Sequence, residues 1–352
     1  MKAFDYIRPA AVSDAVAAAI APGAAYLASG TNLLDLMKTG AARPDRLIDI
    51  THIPGLDRIE RLPDGGLRIG ALVRNADLAH DPDFFRSYPA VAEALLSGAS
   101  AQLRNAATVG GNLLQRTRCA YFYDPSSACN RREPGSGCDA LHGESRLHAV
   151  LGWSPSCIAV HPSDFCVPLV AFDAVAEIEG RHGRREVPVE TLHRLPGDTP
   201  EQETSLEAGD LVVALRLPGE AAGFAKHARY LKLRERTSYA FAVVSAVAAL
   251  DMADGTILRA RLALGGVAAK PWRAREAEGI LAGARPGEAV FRRAADAALA
   301  EAKPSGDNAF KIELARRIAA RALAVAAVGT PERPPALPGS PFSSAVGVRR
   351  DV

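Results

Sequence analysis

The five cysteines of this 352-residue chain are the residues whose spacing most clearly indicates chemistry. All of them lie in one stretch, at Cys119, Cys129, Cys138, Cys157 and Cys166. Cysteines used only as small apolar core residues would be spread along the chain, so the clustering indicates a shared role. The segment between 119 and 157 is rich in Gly, Pro and Ser and lacks helical or strand periodicity, which predicts a long functional loop.

The gaps between these cysteines distinguish several possible uses. Successive cysteines are separated by nine, eight, eighteen and eight residues. Structural zinc sites usually bring their ligands in close pairs, and the chain has none. An iron–sulfur cluster only requires its thiolates to converge in space. Disulfides would leave one of the five cysteines over. The spacing therefore favours an iron–sulfur cluster, with zinc, disulfides or free thiols as the alternatives.

Two turns made of small residues could bind a phosphate. In the first, an apolar strand over residues 25–28 is predicted to run through the sequence SGTN into a helix over residues 33–38. The second contains Gly110 and Gly111 between Thr108 and Asn112. Backbone N–H groups at such turns can surround a phosphate, and glycine allows a ligand to approach closely. Either turn alone is also typical of ordinary loops; two such turns, each next to a strand, could bind both ends of a pyrophosphate.

The remaining pattern predicts sheets and helices in two successive parts. Ser163 or Asp164 is a plausible N-cap of a helix that begins in the sequence HPSDFC. From about residue 222 the pattern changes, and we predict strands over 228–252 and 257–274 followed by helices over 287–303 and 310–328. Beyond residue 329 the chain is rich in Pro, Gly and Ser, and residues 331–341 are a candidate partner-binding arm.

Composition excludes some classes of function. The formal net charge is only +2, with 48% hydrophobic and 23% charged residues, so we expect no nucleic-acid partner. The apolar run over residues 240–250 is too short to cross a bilayer, so no membrane insertion is expected. The N-terminus has no apolar signal segment. We expect a cytoplasmic protein, or a periplasmic one if a signal-bearing partner subunit carries it across.

Four motifs in order resemble a known family. The sequences SGTNLLDLMKTG, TVGGNLLQ, HPSDFCVPLVAFDA and YLKLRERTSYAFA resemble the FAD-binding subunit of the xanthine dehydrogenase and molybdenum hydroxylase family, over the chain to about residue 328. This chain has about forty additional residues between GGNL and PSD, and they contain the cysteines. That variant resembles the FAD subunit of periplasmic-type aldehyde oxidoreductase, where the insertion binds a 4Fe–4S cluster. The 4-hydroxybenzoyl-CoA reductase type is the alternative.

The resemblance implies a fold and a set of FAD-binding residues. The fold would be α+β: a two-subdomain FAD-binding fold of the PCMH type over residues 1–218, a cysteine-rich loop insertion at about 115–160, an α+β C-terminal domain over 222–328 and a Pro-rich tail over 329–352. Ser163 and Asp164 would lie near the ribose and adenine, and Lys232 would contact the flavin. Thr117 and His161 flank the insertion. The pyrophosphate would be held by two loops, made of Tyr26, Leu27, Ala28, Ser29, Gly30, Thr31, Asn32 and Leu33, and of Thr108, Gly110, Gly111 and Asn112.

Four of the five cysteines are predicted to bind the cluster. Cys119, Cys129 and Cys138 lie in the irregular loop, and Cys157 ends it. Cys166 lies in a predicted helix at an apolar position, where a cysteine is more often a packing residue, so we predict that it is not a ligand. His142 and His148 could replace a cysteine, but we expect them to be loop or surface histidines.

The resemblance also implies partners. Substrate oxidation would occur on a large molybdenum-cofactor subunit, and a small subunit with two 2Fe–2S clusters would complete a heterotrimer that delivers electrons to FAD and an external acceptor. Two other classes of protein remain. A self-contained flavoenzyme would need a catalytic base, and none pairs with Glu235, Arg236 or Tyr239 in the sequence. A zinc-stabilised interaction module would bind zinc and no flavin.

Overall fold

The computed structural model describes residues 1–332 and contains three sheets with helices packed beside them. The fold is α+β, as the sequence predicts. The first sheet has three parallel strands in the order β1-β3-β2. The strands are β1 Asp5–Ile7, β2 Ala24–Leu27 and β3 Arg46–Asp49; α1 Val12–Ala19 and α2 Leu33–Thr39 connect to them. Because α2 begins directly after the SGTN turn, this small sheet fixes the first predicted phosphate loop.

The second sheet has five antiparallel strands in the order β4-β5-β8-β6-β7. The strands are β4 Ile59–Arg61, β5 Leu67–Gly70, β6 Val175–Gly180, β7 Gly183–Pro188 and β8 Leu211–Leu217. The helices of this part are short, and most of them contribute to its core: α3 Asn75–His80, α4 Pro82–Ser87, α5 Pro89–Ser97, α6 Ala101–Ala106, α7 Val109–Leu113, α8 Ala120–Tyr123, α9 Cys166–Ala171 and α10 Val189–Leu192. A 3-10 turn covers Asp139–Leu141.

The third sheet has four antiparallel strands in the order β12-β11-β10-β9, after a 3-10 segment at Gly219–His227. The strands are β9 Ala228–Leu233, β10 Val244–Ala253, β11 Thr256–Gly265 and β12 Trp272–Arg273, and the helices are α11 Arg275–Leu281, α12 Glu288–Ala298 and α13 Phe310–Val328. An apolar core lies between the sheet and these helices. None of the helices in residues 1–332 is long and apolar enough to span a membrane.

Several element boundaries differ from the sequence-based ones for local physical reasons. The predicted strand over 228–252 is two strands, because the polar segment 234–243 between them forms a loop. The predicted strand over 257–274 is β11 followed by the two-residue β12, and α11 was missed. Gly110 and Gly111 lie in the first turn of the short helix α7, whose N-cap is Thr108, and not in a turn that follows a strand.

The start of the C-terminal tail contacts the third sheet. Thr330 donates its backbone N–H to the Lys226 carbonyl, and its hydroxyl accepts the N–H of Ala228. Most of the predicted partner-binding arm at 331–341 lies outside the described residues.

Candidate functional site

A cavity of about 920 Å³ lies where the helices beside the second sheet, the loop that contains the cysteines and the third sheet meet. Its volume is within the range of about 300–1,000 Å³ that is typical of ligand sites. Helices α5 and α6, with Gly98 and Ala99 between them, form one wall. Residues 239–243 and the end of β11 at Gly265 form another. The cavity therefore lies between elements that are far apart in sequence.

Nine of the predicted FAD-binding residues line this cavity. They are Thr31, Asn32, Gly111, Asn112, Thr117, His161, Ser163, Asp164 and Lys232. The other eight predicted residues do not line it: Tyr26, Leu27, Ala28, Ser29, Gly30, Leu33, Thr108 and Gly110. Of the two predicted loops, only residues 31–32 and 111–112 therefore face the cavity.

Three of the eight residues that do not line the cavity have an evident structural role. The Tyr26 hydroxyl donates to the carbonyl of Gly209, just before β8, at 2.8 Å. Gly30 has φ +76°, which favours glycine. A Cβ on Gly110 would lie 2.9 Å from the Ala71 Cβ and 3.0 Å from its carbonyl oxygen, so this glycine permits close packing of protein on protein. Gly111 lines the cavity, so a ligand could approach its backbone closely.

Asp164 and Lys232 form a buried ion pair in the cavity wall. The Lys232 Nζ lies 2.7 Å from Asp164 Oδ2, and the two side chains are 4% and 7% exposed. The Tyr230 hydroxyl donates to Asp164 Oδ1 at 2.6 Å. Burial, and then the Asp164 charge, raise the pKa of Tyr230 well above its usual value, so this hydroxyl stays a donor. The carboxylate is held in place and can accept further hydrogen bonds from a ligand.

Ser163 and Asn112 connect two of the predicted motifs. Ser163 Oγ donates to Asn112 Oδ1 at 2.8 Å and accepts the N–H of Cys166 at 3.3 Å. It thus bonds to the first residue of α9, although the N-cap position is occupied by Phe165 and not by Ser163 or Asp164 as predicted. Asn32 has a similar linking role: its Oδ1 accepts the backbone N–H of Arg116 at 2.9 Å, at the beginning of the cysteine loop. Both loops are thereby attached to neighbouring parts of the site.

Sequence reasoning missed several residues of the cavity, including two arginines. Arg104 donates to the Gly98 carbonyl at 2.8 Å, and its Nε is buried without a partner among the described residues. Burial lowers the pKa of both Arg104 and Arg118, but both remain cations at neutral pH. Arginines of this kind suit a phosphate ligand. Neither residue stood out in the sequence, because only the fold brings them to the cavity.

The four cysteines predicted as ligands surround one small second cavity. Cys119, Cys129, Cys138 and Cys157 all line it. Cys129 and Cys138 face each other in an isolated antiparallel bridge. All five cysteines are within the described residues, and none forms a disulfide. Burial raises the pKa of Cys119 to about 12, and the neighbouring Cys129 and Cys157 act in the same direction. Four thiols that converge on one cavity are a donor set that fits an iron–sulfur cluster.

Nitrogen donors lie beside two of these sulfurs. His148 Nε2 is 3.2 Å from Cys119 Sγ, while Arg131 Nη2 is 3.7 Å from Cys157 Sγ. The backbone N–H of Ala159 also points to Cys157 Sγ, at 3.5 Å. Hydrogen bonds and charges next to cluster sulfurs are the means by which proteins set the potential of a cluster.

His148 differs from our expectation of a loop or surface histidine. Its side chain lies in the interior because residues 148–151 pack under the third sheet, and the residue is only 9% exposed. Burial, and then the nearby Lys311, lower its pKa, so the imidazole is neutral at pH 7. His142, in contrast, is exposed as predicted.

Cys166 lies apart from the four-cysteine cavity. It is fully buried in the main core, and its Sγ is 3.8 Å from the Leu113 carbonyl oxygen. His161 and His193 have nitrogens within 4.8 Å of its sulfur. However, His161 Nδ1 accepts the Ser163 N–H at 3.3 Å, which leaves the proton on Nε2. That nitrogen is therefore a donor, and this trio does not fit a metal.

These two cavities belong to a fold with known relatives. Residues 2–220 match the family described as "FAD binding domain in molybdopterin dehydrogenase", and residues 229–326 match the "CO dehydrogenase flavoprotein C-terminal domain". The chain therefore belongs to the FAD-binding subunits of the molybdopterin dehydrogenases, and it is an FAD-binding oxidoreductase subunit. This confirms the family that the four motifs predicted.

Individual relatives cover almost the whole chain. The aldehyde oxidoreductase FAD-binding subunit PaoB of Escherichia coli is 50% identical over 93% of this chain and 99% of its own length. The carbon monoxide dehydrogenase medium chain of Hydrogenophaga pseudoflava is 29% identical over 91% and 96%. Among solved structures, carbon monoxide dehydrogenase from Hydrogenophaga pseudoflava matches with a TM-score of 0.71 at 29% identity, covering 92% of this chain and 96% of the matched one.

Proposed function

We propose that this chain is the FAD and 4Fe–4S electron-transfer subunit of a molybdenum-dependent aldehyde oxidoreductase. It would assemble with a large molybdenum-cofactor subunit and a small subunit carrying 2Fe–2S clusters. The oxidation of an aldehyde and water to a carboxylic acid, two protons and two electrons would take place on the large subunit. The electrons would pass through the small subunit to this chain and then to an external acceptor.

One observation carries the iron–sulfur part of the proposal: four cysteines from a 39-residue stretch line one cavity that adjoins the larger one. Thr117, Cys119 and Tyr121 line both cavities. A cluster held by these thiols would therefore lie next to an FAD in the larger cavity, with these three residues at the boundary. Short separations of this kind are what an electron-transfer function needs.

The residues of the larger cavity would bind FAD in distinct ways. Arg104, Arg118 and the backbone at Gly111 offer positive charge and N–H groups suited to a pyrophosphate. Asp164, held by Tyr230 and Lys232, is an acceptor suited to ribose hydroxyls. FAD would supply the exchange of electrons with the acceptor, and these residues would hold it in position.

The relationship to PaoB supports an aldehyde as the substrate of the complex, since that relative shares half of its residues with this chain. A 4-hydroxybenzoyl-CoA reductase-like complex is the alternative within the family. The self-contained flavoenzyme is less well supported. Glu235 is engaged by Arg146, and Arg236 donates to the Tyr239 carbonyl at 2.9 Å, so neither is arranged as a catalytic base. For location, we propose the cytoplasm, or the periplasm by export with a partner.

The first test counts the cofactors. The protein is purified under anaerobic conditions, and flavin, iron and zinc are measured on the same sample with its visible spectrum. About one FAD and about four irons per chain are expected. Flavin without iron would refute the cluster, and zinc in place of iron would favour the interaction module.

The second test assigns the ligands with single substitutions. Changing Cys119, Cys129, Cys138 or Cys157 to Ser should remove or greatly reduce the bound iron, because each change deletes one thiolate. Cys166→Ser is the matched control from the same stretch of chain and should retain all of it. Iron lost in Cys166→Ser but kept in Cys157→Ser would show that the predicted set is wrong.

A further inference from the structure

We propose that His148 is a positioning residue that couples the two cofactor sites, by donating a hydrogen bond from Nε2 to the sulfur of Cys119 in the wall between the two cavities. The inference deepens the proposed function and rests on it. The imidazole of His148 would hold the Cys119 thiolate in place, and its N–H would also withdraw some electron density from the sulfur.

Cys119 occupies a special position among the four thiols. It lines both cavities, whereas Cys129, Cys138 and Cys157 line only the smaller one. An electron that leaves a reduced cluster for an oxidised flavin would therefore cross the least protein at Cys119. His148 lines the larger cavity and lies 3.2 Å from the Cys119 sulfur, so it contacts this crossing point directly.

The position of the imidazole is fixed by the C-terminal domain. The Lys311 Nζ donates to the His148 carbonyl at 2.7 Å, and Asn308 Nδ2 donates to the same oxygen at 3.1 Å. The His148 N–H donates to the Ser145 carbonyl at 2.9 Å. The backbone of His148 is thus held on both sides, its side chain is buried, and its ring centroid lies 6.5 Å from that of Tyr121.

The chemistry of the contact determines the direction of the hydrogen bond. A cluster-bound thiolate only accepts, so Nε2 must carry the proton, and Nδ1 is then an acceptor. Nδ1 is buried and has no partner among residues 1–332. An N–H donor to a ligand sulfur stabilises the added negative charge of the reduced cluster, so it raises the reduction potential. Positioning and electron control thus follow from the same contact.

The test compares His148→Leu, which removes the donor, with His148→Gln, which keeps an N–H donor of similar reach. His142→Leu is the matched control, because His142 is an exposed histidine of the same loop. Each protein is purified with its FAD, its iron is counted, the cluster potential is measured by EPR-monitored redox titration, and the cluster-to-flavin electron-transfer rate by rapid freezing.

His148→Leu should keep four irons but show a more negative cluster potential and at least a threefold slower transfer rate. The two changes are informative together, since the greater driving force alone would speed the transfer. His148→Gln should recover most of both properties, and His142→Leu should resemble the wild type. Unchanged potential and rate in His148→Leu would overturn the inference, as would loss of iron from both His148 variants. A wild-type protein without iron would instead refute the proposed function.

Discussion

Two of the sulfurs in the four-cysteine cavity have nitrogen groups of different charge beside them. At Cys119 the neighbour is a neutral imidazole, anchored from the C-terminal domain. At Cys157 it is the guanidinium of Arg131, which is only 6% exposed and lies 3.1 Å from Glu203. A buried cation would act on a cluster through its full charge, whereas a neutral N–H donor would act through the smaller field of one hydrogen bond. Under the proposed function, the group beside Cys157 should therefore influence the cluster potential more strongly than the group beside Cys119.

Glu203 pairs with Arg131, and substitution of Glu203 should have the largest effect on stability. Burial alone would raise the pKa of Glu203, but Arg131 and Arg116 lower it below its usual value, so it is a carboxylate between two guanidinium groups. Glu203→Gln leaves the buried Arg131 and the partly exposed Arg116 without their partner and should lower the free energy of unfolding by about 3 kcal/mol. Chemical denaturation measures this. Glu207→Gln, at an exposed ion pair, should change it by less than about 1 kcal/mol. Equal effects of the two substitutions would contradict the buried network.

Arg131 should set the potential more strongly than His148. Arg131→Gln removes a charge 3.7 Å from the Cys157 sulfur, so the reduced cluster loses stabilisation. The reduction equilibrium should shift by about tenfold, or about 59 mV toward negative values for one electron. Arg131→Lys should keep most of the potential. Redox titration with EPR detection checks both variants, and Arg146→Gln, at an exposed ion pair, is the control. A potential unaffected by Arg131→Gln would show that the two groups do not differ as proposed.

Lys311, which holds the backbone of His148, should make the stability of the protein depend on pH. Burial, and then Arg146, lower the pKa of Lys311 to about 7. Between pH 7 and the ordinary lysine pKa of about 10.4, the unfolded chain binds more protons than the folded one, so Lys311 makes stability increase with pH there. The advantage of wild type over Lys311→Met should grow by about 2–3 kcal/mol from pH 6 to pH 9. Denaturation curves at several pH values measure it, with Lys303→Met as control. A difference independent of pH would refute the assignment.

The sequence predicted what depends on local pattern. The apolar strand, the SGTN turn and α2 are adjacent in the chain, and α13 has the predicted bounds because its pattern ends at Gly329. The confinement of the cysteines to one loop likewise needed no structure to notice. Only part of each predicted FAD-binding loop faces the cavity: residues 31–32 of the first and residues 111–112 of the second.

Contacts between distant segments could not be predicted. The burial of His148 depends on Lys311, 163 positions away, and the hold on Asp164 depends on Tyr230, 66 positions away. Gly110 looked like a ligand-binding glycine, but its lack of a side chain serves its contact with Ala71. A single sequence contains no signal for such pairings, since each depends on how separate elements pack.

The hydrogen bonds within the cysteine loop connect the two chain segments that carry Cys129 and Cys138. Asn130 Oδ1 accepts the Gly137 N–H at 2.8 Å, Asp139 Oδ2 accepts the Ala128 N–H at 2.8 Å, and Ser136 Oγ accepts the Cys129 N–H at 3.0 Å. These bonds lie on either side of the isolated bridge between Cys129 and Cys138. The spacing of the two sulfurs therefore depends on three side chains that carry no sulfur, and a substitution at any of them would disturb both thiols at once.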